Sequence, residues 1–315
     1  MPMTSDHWDT LVDPRIREAY FIGYGQEDRR QSMIDQLFSV RRTDIVNEKV
    51  QQIGGVSAAK WTLFEDAGRT PYVEPVKHYE ETFTPHEFTL GIKVERKLID
   101  DNRVPEALAL ARALGDSSWR MREKAAANVF INAFSAATSE TLDDFGTDAT
   151  GADAVALCSA AHPTNPLDST ALTNEGTLAL SKANVSSTRQ LHMALTDLNG
   201  DLLNIMPDEL LVPPELEDTA LEIVRSTLDP VSANNAINPQ AGRFTVKVWH
   251  QLTDATAWFM MDSSLRRENL RFYERIPMEL QGPIKDEDTQ ISKWVSYQRF
   301  TLGWVDWRFI YGQNG

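Results

Sequence analysis

The feature that most limits the fold is the run 105–137, which contains no proline after Pro105. It is rich in Ala, Leu, Arg, Met, Glu and Lys, the residues that lose least on entering a helix. Pro105 suits the first turn, where a missing N–H costs nothing. Leu110, Leu114, Met121, Ala125, Val129 and Ala136 recur at helical spacing, with the seam passing Ser117 or Ser118. At 1.5 Å per residue the helix would span roughly 50 Å. It lacks coiled-coil patterning, so it has to act as a spine for elements laid along it. Gly115 interrupts it at about 1 kcal/mol relative to Ala and marks either close packing or a bend.

Upstream, 1–55 reads as an extended or partly helical arm. Pro14 starts a helix with Ile16, Ala19 and Tyr20 on one side, which Gly23 and Gly25 are expected to break. A second short helix fits Asp28 to Phe38. Trp8, Phe21, Ile34 and Leu37 need cover, either from this chain's own domain or from a neighbouring copy. Segment 56–96 reads as a long β-hairpin with arms Lys60–Glu65 and Glu80–Glu95. The second arm alternates over Phe88, Leu90, Ile92 and Val94, a period of two. Gly68, Pro71 and Pro75 suit a wide loop between the arms. Such a hairpin is marginal alone in water and needs a partner surface.

Downstream, 138–181 is rich in Thr, Ser, Asp, Gly and Ala and reads as a long irregular segment. Asn184–Leu198 and Glu215–Leu228 read as amphipathic helices. Glu209–Val212, Phe244–Trp249 and Ala257–Met261 read as strands. Gln290–Tyr311 is strand-rich and dense in aromatics, with Gly303 marking a bulge or bend. The order of elements gives an α+β class.

Charge restricts function. Lys plus Arg number 31 and Asp plus Glu 46, a formal net charge of −15. A surface this acidic repels phosphate, which argues against tight general nucleic-acid binding. Cys158 is the only cysteine, which excludes an intrachain disulfide and a cysteine-based zinc site. Met1 to Asp13 is polar and acidic and does not read as a signal peptide. No stretch approaches the length of a membrane span. Cys158 and His162 invite a nucleophile–base reading, but Pro163 favours a loop, and i,i+4 proximity needs a helix. A small buried hydrophobe is the simpler role for Cys158. The six histidines are scattered, and no pair has the HExxH spacing. Asp100–Asp101, Asp143–Asp144 and Asp286–Asp288 read as solvated pairs or turns. Phosphate-loop, dinucleotide and nucleophile-elbow motifs are absent. No catalytic, cofactor or metal residue is assigned.

Arm, long hairpin, spine helix, mixed α/β region and aromatic strand-rich end together resemble the Hong Kong 97-type fold of tailed double-stranded DNA bacteriophage head proteins. Local stretches are similar too: Ala156-Leu157-Cys158-Ser159-Ala160-Ala161-His162-Pro163 after the spine, Glu95–Asp101 leading into it, and the closing Trp304-Val305-Asp306-Trp307-Arg308. The resemblance implies an N-terminal arm (1–55), an extended hairpin or E-loop (56–96), a peripheral domain (97–181 and 289–315) on the spine, and an axial domain (182–288). It implies a major capsid protein without enzymatic activity, self-assembling as hexamers and pentamers into an icosahedral head that encloses double-stranded DNA without reading its sequence. The hairpin would lie over a neighbouring subunit through Trp61, Phe64, Tyr72, Tyr79, Phe83 and Phe88. Portal, a separate scaffolding protein and a decoration protein are the implied partners, the virion its location, and the bacterial cytoplasm its place of assembly. Lys60 and Lys77 have no assignable partner, so no cross-link is expected. Two alternatives stay open: an encapsulin-type nanocompartment shell, and a soluble hydrolase using Cys158 or His162.

Overall fold

The computed structural model describes residues 12–25, 32–53, 61, 70, 72, 77–101, 103–135, 150–166, 168–228, 237–286 and 288–315. The chain enters on α1 (Asp13–Gly25), the short α2 (Met33–Leu37), and strands β1 (Ser39–Arg42), β2 (Glu48–Ile53), β3 (Lys77–Phe83) and β4 (His86–Glu95). Then come α3 (Arg96–Asp100), the spine α4 (Val104–Ile131), and the small strands β5 (His162–Asn165), β6 (Asp168–Leu172) and β7 (Glu175–Gly176). A second half follows: α5 (Lys182–Met193), β8 (Glu209–Val212), α6 (Glu217–Arg225), β9 (Thr245–Val248) and β10 (Ala257–Met261). The chain closes with α7 (Ser263–Asn269), β11 (Leu270–Asp286), β12 (Ile291–Trp304) and β13 (Ile310–Asn314).

The first sheet has the order β1-β11-β12-β4. Along β12 every second side chain is buried: Ser292, Trp294, Ser296, Gln298 and Phe300. α1 and α4 cover that face. The Tyr20 and Ser118 hydroxyls meet Ser296 Oγ at 2.7 and 3.1 Å, and Trp294 donates its Nε1–H to Asp13 at 2.9 Å. A Cβ on Gly23 would collide with the Arg112 carbonyl, and one on Gly115 with the Tyr20 carbonyl. The two helix backbones touch at these glycines. This is why α1 runs through Gly23 to Gly25 instead of breaking there, and why Gly115 is a packing residue. Further along, the Arg122 guanidinium reaches Glu274 at 2.9 Å and lies over the Phe272 and Phe300 rings, holding α4 to β11.

The second sheet has the order β7-β13-β10-β8-β9. β8 and β10 are buried at every residue. One face packs Leu210, Val212, Trp258 and Met260 against α5 and α6. On the other, Phe259 meets Phe130 at the end of α4, ring centroids 5.6 Å apart. The spine thus carries one sheet along its length and the other at its C-terminal end. Beside this junction, Glu209 binds Arg266 at 2.7 Å and Lys247 at 2.9 Å. Arg266 also donates to the Leu37 carbonyl and Lys247 to that of Gln36, tying α2 into the cluster. Burial pushes the Glu209 carboxyl up. The hydrogen bonds and charges of Arg266 and Lys247 outweigh that and hold it below the usual range.

Several expected boundaries move. The strand opposite β3 is β2, inside the segment assigned to the arm, with Glu48 facing Phe83 and Gln51 facing Glu80. The expected second arm, Glu80–Glu95, splits after Phe83. Its larger part is β4, which pairs antiparallel with β12, Val94 opposite Ser292 and Phe88 opposite Gln298. Of the expected first arm, Lys60–Glu65, only Trp61 lies within the described residues. A division at 288/289 would cut the β11–β12 hairpin, the longest antiparallel pairing in the chain. Residues 270–286 belong to the first sheet, and 310–314 belong to the second. Gly303 pairs regularly with Arg271 and is no bulge. It leaves room for the Phe83 ring. β8 and β10 fall where the sequence places them; the spine helix starts as expected but ends at Ile131 rather than at 137, and Ala136 lies outside the described residues.

Candidate assembly surface

Among the described residues, the β2–β3 hairpin and the loop beyond it present two large aromatic side chains to solvent, Trp61 and Tyr72. The base of the hairpin is fixed. Phe83 is only 4% exposed and packs on Tyr273, with ring centroids 5.1 Å apart, and on Val305. The Gln52 amide donates to the Val305 carbonyl at 2.6 Å. Burial, aided by the Asp153 carboxylate and opposed by Arg308, pushes the Tyr79 phenol up. Beyond the base, Trp61 is 84% exposed and Tyr72 92%. Rings of this size hold 150–250 Å² of surface each, and covering it at ~25 cal/mol per Å² is worth several kcal/mol before ordering costs.

The six aromatics expected to touch a neighbour therefore part company. Trp61 and Tyr72 are free to make such a contact. Tyr79 is half-buried, and Phe64 lies outside the described residues. Phe83 and Phe88 turn inward: Phe88 stacks on Phe300 of its own sheet at 4.6 Å. Phe88 is placed there by β4 pairing with β12, and Phe83 by packing on Tyr273 and Val305, neither of which the period-two pattern could reveal. Conversely, Ile45, Val46, Leu202, Met206 and Ile237 stand exposed without having been singled out. They sit in turns and irregular stretches, where no periodicity points to a buried or an open face.

The phage capsid protein family matches residues 79–312, about three-quarters of the chain. The chain belongs to the phage capsid protein family. Solved structures agree in fold. The mature capsid of bacteriophage PhiM1 superposes with a TM-score of 0.53 at 15% identity, covering 88% of this chain and 85% of that one. A structure from Gordonia phage Cozz gives 0.53 at 13% identity, covering 89% and 85%. The capsid of a native GTA particle gives 0.50 at 15%, covering 89% and 88%. No match is found among curated proteins. The mixed helix-and-sheet fold is of the Hong Kong 97 type, and the protein is a shell-forming major capsid protein of the virion.

In this capsid protein Cys158 and His162 have structural roles. Cys158 is 1% exposed, packed beneath Gly312 and Phe134, and burial pushes its thiol well above the ordinary range, the opposite of what a nucleophile needs. His162 Nδ1 is bonded to Asp153 at 2.6 Å, and its ring stacks on Trp307 at 4.1 Å. Asp286 caps its own turn, accepting from the Asp288 and Thr289 amides and pairing with Lys293 at 3.5 Å. Among the described residues no group of three or more His, Cys, Asp or Glu side chains is placed to hold a metal ion, and no helix is long and apolar enough to cross a membrane.

Proposed function

We propose that this protein assembles as hexamers and pentamers into the closed icosahedral head of a tailed phage and encloses double-stranded DNA without reading its sequence. The observation that carries this reading is the β2–β3 hairpin, anchored at its base and, among the described residues beyond it, open at Trp61 and Tyr72. An aromatic surface of that kind is stable in solution when a second copy covers it. The net charge of −15 suits a wall that does not hold DNA down. The shell is assembled in the bacterial cytoplasm on a separate scaffolding protein, receives DNA through a portal, and accepts a decoration protein. It performs no catalysis. Trp61 and Tyr72 lie over the adjoining subunit, joined by Phe64 and, at the edge of the contact, by Tyr79.

Replacing residues 54–76 with a two-residue Asn-Gly turn tests it, because this spares β2, β3 and the Phe83 anchor. The expected product is a folded, soluble subunit that electron microscopy never finds in closed particles. Intact shells from the shortened chain would end the role given to the hairpin.

A further inference from the structure

The second sheet carries α5 and α6 on the same face. Val185 of α5 and Ala220, Ile223 and Val224 of α6 share one apolar cluster with Leu210, Val212, Trp258 and Met260. Strand order places the two helices on opposite flanks. Gln313 of β13 donates to the Thr188 hydroxyl of α5 at 2.8 Å, so α5 lies toward β13. α6 joins β8 to β9 and packs with Val246 and Val248 of β9. In the order β7-β13-β10-β8-β9, these are the two sides of the layer.

The flanks differ in charge. α6 and the turn before it expose Glu215, Asp218 and Glu222, with Arg225 as the single cation of the helix. α5 carries Lys182 and Arg189, both half-exposed, and no Asp or Glu, and it leaves Leu191 49% exposed. In a subunit of net charge −15, copies repel one another unless each contact sets a positive surface against an acidic one.

We propose that α6 of one subunit docks on α5 of the next copy of this chain, with Glu215, Asp218 and Glu222 facing Lys182 and Arg189 around Leu191. The contact is head to tail, and its repetition closes a ring when the rotation between successive copies divides the full circle. This rests on the reading of the chain as a ring-building shell subunit, and it names the surfaces that build the ring.

The test uses the full chain. Arg189→Glu, and separately Asp218→Lys with Glu222→Lys, each lower the yield of sedimenting particles about tenfold, because like charges now meet. All three substitutions combined in one chain restore the yield. The subunit's melting temperature stays at the wild-type value throughout, since these side chains are exposed or half-exposed. Wild-type yield from both reversed chains would overturn the pairing, as would a combined chain that stays folded yet fails to assemble. A wild-type chain that forms no particles in the same assay would instead sink the shell reading itself and take the pairing with it.

Discussion

Two antiparallel hairpins in this protein are built from similar sequence and meet opposite fates. β11–β12 is rich in aromatic and β-branched residues, and one of its faces lies under α1 and α4, so Trp294 and Phe300 are almost wholly buried. β2–β3 is also held at its base, by Phe83 and Gln52, but beyond that base Trp61 and Tyr72 stand almost fully open. Composition does not separate the two. What separates them is whether this chain supplies a helix to lie on the apolar face. Where it does, the hairpin stabilises the subunit. Where, among the described residues, it does not, the same kind of side chain stands exposed.

That contrast can be broken by measurement. Trp294→Ala carries the largest expected effect, about 3–5 kcal/mol off the unfolding free energy in urea, because a fully buried indole and its bond to Asp13 both go. A loss below about 1 kcal/mol would mean that the covered hairpin is not what holds the first sheet.

His192 tests the covered side through pH. Burial lowers its pKa to about 4, against the opposing pull of the Arg308 carbonyl and Asp262. The unfolded chain titrates near about 6.5. Between these values the unfolded state takes up a proton that the folded state refuses. The stability present above about 6.5 is therefore lost as pH falls toward 4, by about 3 kcal/mol in all. Urea unfolding at a series of pH values should show a steeper fall for wild type than for His192→Gln. Equal slopes would show that the imidazole is not kept neutral by its surroundings.

Gly115→Ala is expected to cost about 1–3 kcal/mol, although Ala is the better helix former, because its methyl would push α1 off α4. A rise in melting temperature would show that the crossing has slack. The smallest effect on the subunit belongs to Trp61→Ala, within about 0.5 kcal/mol, while its particle yield falls sharply. If Trp61→Ala melted the subunit as Trp294→Ala does, the distinction between covered and uncovered hairpins would be lost.

Much of the second half was legible in advance. The strands Glu209–Val212 and Ala257–Met261 are short apolar runs, buried on both faces, and the chain fixes their ends with polar or proline neighbours. The helix at Glu217–Arg225 announced itself through Ala220, Ile223 and Val224 at helical spacing. In the candidate site, exposure at Trp61 and Tyr72 was anticipated, but the inward turn of Phe83 and Phe88 was not. Phe88 opens the alternating run to Val94, and Phe83 lies upstream of it. Alternation reports that one face will be buried and is silent about what buries it.

The sequence by itself determined the long spine helix, the α+β class, the family resemblance, and the presence of more aromatic surface than a lone hairpin can keep dry. Helical period and residue preference act over a few neighbours, so they can be read from the chain directly. Only the tertiary structure decided that β2 faces β3, that β4 closes the first sheet against β12, and that β13 crosses into the second sheet. Strand pairing is a contract between segments as far apart as Val94 and Ser292. The backbone hydrogen bonds that enforce it carry no side-chain signature.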